Sequence, residues 1–378
     1  MEMPKKERNL GADFVRISAC YLVLSVHFFL NIGFYGEIMD GARMFIMEFM
    51  RTAFMACVPL FLMLSGYLMR TKKLEKRYYA RGGRMLAVYL LSSIACIVYK
   101  LAVLGTGHPL ETILGIFNYT AAPYAWYIEM YIGLFLLAPF LNLLYGALPS
   151  KNAKHALIAT LLFLTAVPQM VNVYNLLDAS WWAHPSSGTN YVQLLPQWWR
   201  NLYPVTYYFI GAYLGEYKVR LRPGAGWAAL LAVLLANGTY NCWRSAGRKM
   251  IWGIWNDWGS LMMLVPSVLL FLLLVNRNNS GRPPAYRKAV ALTSDLTLGV
   301  YLVSYIFDTE FYRILKERVP ETQDRLPYYF LVVPAVFLSS LALSGLLEII
   351  RRLSAKLFGF VKARPAEPRS TGASGTPA

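Results

Sequence analysis

Arg16 and His27 stand eleven residues apart in the apolar run RISACYLVLSVH. A charge inside hydrocarbon is expensive, so such residues mark sites more often there than in soluble proteins. Eleven residues make almost three helical turns, which puts both side chains on one face and about 16 Å apart along the axis. Asp13, three residues before Arg16, can pair with it. Imidazole titrates near neutrality and suits a general base that deprotonates a hydroxyl. A forked guanidinium suits phosphates. The separation would have a chemical meaning for an acyl-coenzyme A donor, whose nucleotide end would rest at Arg16 while its thin pantetheine arm brought the thioester to His27, but the geometry alone does not single out that donor. The bland alternative is an Arg that snorkels to the headgroups and a hydrogen-bonded core His.

Other side chains could join this chemistry. Arg81 and Arg84, three apart at a span start, are either further phosphate ligands or positive anchors of the bilayer surface. Ser65 and Gly66 lie in an apolar helix, where small residues permit close helix contact or leave room for an acyl arm. No Gly-x-Ser-x-Gly elbow surrounds Ser65, which argues against a serine nucleophile. Glu129 falls near a span end at a depth comparable to His27, and could orient His27 or the acceptor hydroxyl. His108, His155 and His184 and the four cysteines show no metal-ligand spacing, so no metal and no bound cofactor is expected.

The elements that must position these residues are membrane helices. The chain has 378 residues, 57% hydrophobic and only 15% charged, below the ~25% usual for soluble domains. Apolar blocks of about 20 residues recur along it, each long enough to cross ~30 Å of hydrocarbon. The expected fold is an all-α polytopic membrane protein of about ten spans, near 12–32, 53–70, 84–104, 124–145, 155–171, 203–218, 226–242, 258–276, 291–311 and 328–350. The basic N-terminal flank lacks a small-residue cleavage site, which predicts an uncleaved first span. With both termini cytoplasmic, 25 of the 37 Lys and Arg fall on the cytoplasmic side. The +17 net charge then reflects topology, since the basic and aromatic residues form no nucleic-acid platform. Segment 172–202 is Trp-rich and polar, a helix-poor loop at the outer interface whose rings are sugar-stacking candidates. One membrane domain over 1–355 is followed by a Pro/Gly/Ser/Ala-rich tail, 356–378, expected to be disordered.

The motifs resemble a known family. The Arg-x10-His in DFVRISACYLVLSVH is similar to the signature of membrane acyltransferase family 3. VPLFLMLSGYLM (58–69) is similar to its second span, and RGGR (81–84) to the Arg-x-x-Arg that follows. AWYIEMYIGLFLLAPFLN (125–142) and SDLTLGVYLVSYIF (294–307) resemble the bacterial surface-polysaccharide O-acyltransferase branch. The resemblance implies a ten-helix core in the bacterial cytoplasmic (inner) membrane. It also implies acyl transfer, acetyl being the expected group, from cytoplasmic acyl-CoA to a glycan or lipid-linked sugar. There are departures. Ser304 stands where many relatives carry a second His, and Glu129 where Tyr or an apolar residue is expected.

The expected machinery is therefore His27 and Glu129 as catalytic groups, Asp13 as orienting group, and Arg16, Arg81, Arg84, Ser65 and Gly66 along the donor. A rival reading is a glycolipid or acyl transporter or flippase without chemistry of its own; a sensor or scaffold is a weaker third. Only the enzyme would cleave acetyl-CoA.

Overall fold

Asn9 starts the first helix, its side chain accepting from the Ala12 amide at 3.2 Å and so satisfying one of the donors a helix leaves open at its N-terminus. The helix then runs through the Arg16–His27 stretch to Asn31. In the computed structural model, which describes residues 8–106, 108–277 and 281–362, this helix packs against five others and forms the centre of the bundle. The longer helices are labelled α1 (Leu10–Asn31), α2 (Gly41–Phe54), α3 (Cys57–Met69), α4 (Gly82–Ala102), α5 (Trp126–Gly146), α6 (Lys151–Thr165), α7 (Tyr203–Tyr217), α8 (Pro223–Ser245), α9 (Leu261–Val275), α10 (Pro284–Arg318) and α11 (Tyr329–Lys362). Helix α1 touches α2, α3, α9, α10 and α11.

Each of the ten stretches expected to span is helical, and eight helical segments among the described residues are long and apolar enough to cross a membrane. The two outside that set are α7, only 15 residues long, and α8, whose apolar character is diluted by Gly, Asn and Trp. The second span begins earlier than its apolar run suggests. Helix α2 starts at Gly41, where the Asp40 side chain accepts from the Gly41 amide at 2.8 Å, and it carries Glu48 and Arg51, both fully buried. Those charges hide the helix from a hydropathy reading. The break at Met55–Ala56 follows from Pro59, which has no N–H to give the Met55 carbonyl and so cannot continue α2 into α3.

Gly66 and Gly211 explain how α3 and α7 approach. A Cβ on Gly66 would lie 1.9 Å from the Tyr208 carbonyl oxygen, and one on Gly211 1.9 Å from the Met63 oxygen. Only hydrogen fits at either position, the small-residue seam common between membrane helices. Segment 172–202 holds only short turns of 3-10 helix, as expected of a helix-poor loop. It is clamped by Arg244, a fully buried side chain that donates to the Tyr240 and Tyr191 hydroxyls at 2.7 and 2.8 Å and lies 3.7 Å over the Trp255 ring. All four cysteines are free and buried. Helix α11 continues to Lys362, into the segment expected to be a disordered tail; the rest of that tail lies outside the described residues.

Candidate active site

The helical period of α1 puts Arg16, Val23, Val26, His27 and Leu30 along one wall of a cavity of about 720 Å³. Arg81, Arg84 and Asp295 join Arg16 toward one end, and Tyr35, Trp126, Trp252 and Trp258 gather beyond His27 toward the other. The long axis of the cavity thus follows α1, with a cationic end, an aromatic end, and His27 between them.

His27 is held from three sides. Its Nδ1 lies 3.1 Å from Oδ2 of Asp308 on α10, with His27 7% and Asp308 1% exposed. The Tyr124 ring packs on the imidazole with centroids 3.8 Å apart. Tyr124 is itself pinned. Its hydroxyl accepts from Asn31 Nδ2 at 3.3 Å, and its carbonyl accepts from the Tyr301 hydroxyl. Asn31 also donates to the His27 carbonyl at 2.8 Å, which ties ring and backbone into one unit. With Nδ1 engaged by the carboxylate, Nε2 is the nitrogen left to act in the cavity. A base held by a carboxylate on its far nitrogen is the arrangement that fixes a tautomer and stabilises an imidazolium. The Tyr124 hydroxyl also approaches the Asp308 carboxylate, so His27 and Tyr124 face the same acid.

Asp308 takes the place expected for Glu129. Tyr127 and Tyr131, four apart on α5, face the cavity with rings stacked at 5.8 Å. Glu129 lies between them in sequence, about 200° around the helix from Tyr127, and is exposed outside the cavity. The expectation for Glu129 is therefore corrected: α5 presents its tyrosines to the site and its acid away from it. Asp308 carried a sequence signal of its own, an acid at the end of an apolar span, four residues and about one turn after Ser304. Nothing local connects it to a His 281 positions earlier. Ser304, at the position where relatives have a second His, is fully buried and donates to the Tyr301 carbonyl at 2.9 Å.

The cationic end also departs from the simplest expectation. Arg16 Nη1 donates to Ser294 Oγ at 3.0 Å and lies 3.9 Å from Asp13. The closer partner of Asp13 is Arg8, whose Nε and Nη2 bind both its oxygens at 2.7 and 2.8 Å and which also binds Asp295 at 2.8 Å. Arg8 therefore ties α1 to α10 through Asp13 and Asp295, and Asp13 only assists Arg16, since a 3.9 Å contact orients far less than a forked pair. The Arg16 side chain stays 31% exposed. Arg84 stands 3.7 Å from Glu348 of α11, with half its side chain open. Ser65 lines the cavity, but its hydroxyl donates to the Phe61 carbonyl at 2.9 Å rather than to a base. Gly66 does not line the cavity; it serves the α3–α7 seam, which corrects its expected place along the donor.

The rings of segment 172–202 are not those of the cavity. Trp181, Trp182 and Tyr174 stack among themselves and on Trp243. The cavity takes instead Trp252 and Trp258, from the connection between α8 and α9, and Trp126 from the start of α5. Sequence proximity of Trp residues misleads here: of the four in this loop Trp181 is buried against Trp243 of α8, Trp182, Trp198 and Trp199 are exposed, and none lines the cavity.

A comparison with protein-family models matches residues 9–345 to Acyl_transf_3, described as an acyltransferase domain. The comparisons with curated proteins and with solved structures gave no match.

Proposed function

The chain belongs to the Acyl_transf_3 family of membrane acyltransferases, and from that premise we propose that it is an O-acyltransferase of the bacterial cytoplasmic membrane. Its donor is cytoplasmic acyl-CoA, with acetyl the expected group, and its acceptor is a hydroxyl of a cell-surface glycan or its lipid-linked precursor. The observation that carries this reading is the single cavity joining Arg16, Arg81 and Arg84 to the His27–Asp308 pair.

The donor lies with its phosphates among the three arginines. Its pantetheine arm follows the wall of α1, whose rise of about 16 Å from Arg16 to His27 is comparable to the reach of that arm. The acceptor hydroxyl approaches His27 Nε2, which takes its proton as the oxygen attacks the thioester carbonyl. Asp308 accepts from Nδ1–H throughout and stabilises the imidazolium. The tetrahedral intermediate collapses with cleavage of the carbon–sulfur bond. The leaving thiolate takes the proton back from Nε2, so the products are an ester and free coenzyme A. The tyrosine hydroxyls on α5 line the same space and are the donors nearest in kind to what a developing oxyanion requires.

The basic 70–84 segment sets the donor side, by the excess of Lys and Arg on cytoplasmic loops. Oriented proteoliposomes test the arrangement. Acetyl-CoA sealed on the side of that segment is consumed, with release of free thiol, only when acceptor is supplied on the opposite side. Thiol release with both substrates confined to the basic side would overturn the transmembrane relay. No thiol release under any arrangement would favour a transporter.

A further inference from the structure

The aromatic end of the cavity has a construction of its own. Tyr35 follows directly on α1, and Trp252 stacks on it with centroids 5.5 Å apart and planes 26° apart. Trp126 and Trp258 stack at 4.7 Å and 18°, and Trp252 meets Trp258 edge-on at 6.1 Å. The rings form one continuous surface, yet Trp126 and Trp252 stay 37% and 45% exposed. The side chains lining this end are uncharged.

The platform is braced from behind. Arg51 of α2, fully buried, donates from Nε to the Tyr35 hydroxyl at 2.9 Å and holds its guanidinium 4.7 Å from the Trp252 ring centroid. Its charge is offset by Glu48, 3.7 Å away and equally buried. Glu48 accepts from Thr52 at 3.1 Å. Thr52 accepts from Asn241 at 3.0 Å, and Asn241 in turn accepts from the Trp255 and Asn256 side chains of the ring-bearing connection. Backbone bonds complete the frame: Met39 donates to the Arg248 carbonyl at 2.7 Å, and Gly247 to the Met39 carbonyl at 3.3 Å. Residues of four separate segments are thus stitched together to hold open ring faces against the cavity. A membrane-surface anchor would need only the rings; it would not need them oriented on a hydrogen-bonded frame.

We infer that Tyr35, Trp126, Trp252 and Trp258 form the acceptor subsite, and that it binds an electroneutral pyranose ring rather than an acidic sugar. This rests on the acyltransferase reading above and specifies its acceptor. Flat indole faces carry negative electrostatic potential and attract the C–H faces of a sugar. They repel a carboxylate or phosphate, and the guanidinium that packs on Trp252, that of Arg51, is fully buried behind the rings beside Glu48. The Asp308 carboxylate beyond His27 adds to the same discrimination. A neutral sugar stacked here turns a ring hydroxyl inward toward His27 with no cation needed to hold it. Arg51 is a positioning residue that acts through Tyr35 and Trp252.

Two measurements on the detergent-purified full chain test this. The first is tryptophan fluorescence titrated with neutral methyl hexopyranosides and with methyl hexopyranosiduronates, which reports binding whether or not chemistry occurs. The second is thiol release from acetyl-CoA against each sugar. Neutral pyranosides quench and saturate, and the uronates bind at least tenfold more weakly. Trp252→Ala raises the acceptor KM about tenfold without moving the donor KM, whereas Trp252→Phe retains most of the affinity. The doubly neutral Glu48→Gln/Arg51→Gln variant, which leaves no lone buried charge, raises the acceptor KM without moving the donor KM. Equal or tighter uronate binding, or an unchanged acceptor KM in Trp252→Ala, overturns the subsite. Saturable neutral-sugar binding without any thiol release would leave the subsite standing and overturn the acyltransferase mechanism instead.

Discussion

The two ends of the cavity are built on opposite plans. At the cationic end the recognising groups are long, flexible and separately tethered: Arg16 by one short bond to Ser294, Arg84 by a 3.7 Å contact with Glu348, and both partly open. At the aromatic end the groups are flat, stacked on one another and fixed by a hydrogen-bonded frame that reaches four segments. Guanidiniums on flexible stems adjust to phosphates wherever these come to rest, but their attraction is screened by salt. Stacked rings adjust little and discriminate by shape and by the absence of charge. If the two ends hold donor and acceptor as proposed, affinity for each has a different physical origin, and the two can be perturbed independently. His27 and Asp308 belong to neither plan and lie between the two ends.

The largest effect should come from that shared point. His27→Gln keeps the volume and some hydrogen bonding but removes the base, and is expected to lower acyl transfer by about 10²- to 10⁴-fold while the protein still inserts. Radiolabelled acetyl transfer, normalised to folded protein from size-exclusion profiles, measures it. Near-normal transfer would place the chemistry elsewhere and remove the meaning of the two ends. Asp308→Asn should lower kcat by roughly 10²-fold with both KM values little changed, and Asp308→Glu should recover part of the loss. A change confined to one KM would instead assign Asp308 to one end.

The smallest effect should be at the cationic end. Arg81→Ala combined with Arg84→Ala is expected to raise the donor KM roughly three- to tenfold, since half-exposed charges are worth little each. Steady-state kinetics at two ionic strengths should show the variant losing the salt dependence of the wild-type donor KM while the acceptor KM stays fixed. A salt-insensitive donor KM in the wild type would break the comparison, because the donor would then be held by something other than phosphate contacts.

Much of this arrangement was legible in the chain. The apolar blocks mark out the helices, because length and hydropathy over about 20 residues decide what can cross a bilayer. Arg16 and His27 share a face because the helical period is local, and eleven residues are enough to express it. Arg81 and Arg84 follow for the same reason, as neighbours on one turn. Other features depended on which helices cross, and no local period carries that information. Asp308 meets His27 across 281 positions because α10 packs on α1. Glu129 turns away because α5 is rotated to present Tyr127 and Tyr131. Gly66 is spent on a backbone approach to α7 that only tertiary contact reveals. The charges of α2 conceal a helix that exists because Arg51 and Glu48 find each other, Tyr35 and Trp252 in the interior. The sequence by itself thus determined most of the helices and the shared face of Arg16 and His27. The tertiary structure alone decided which faces meet, because that choice lies in packing between segments far apart in the chain.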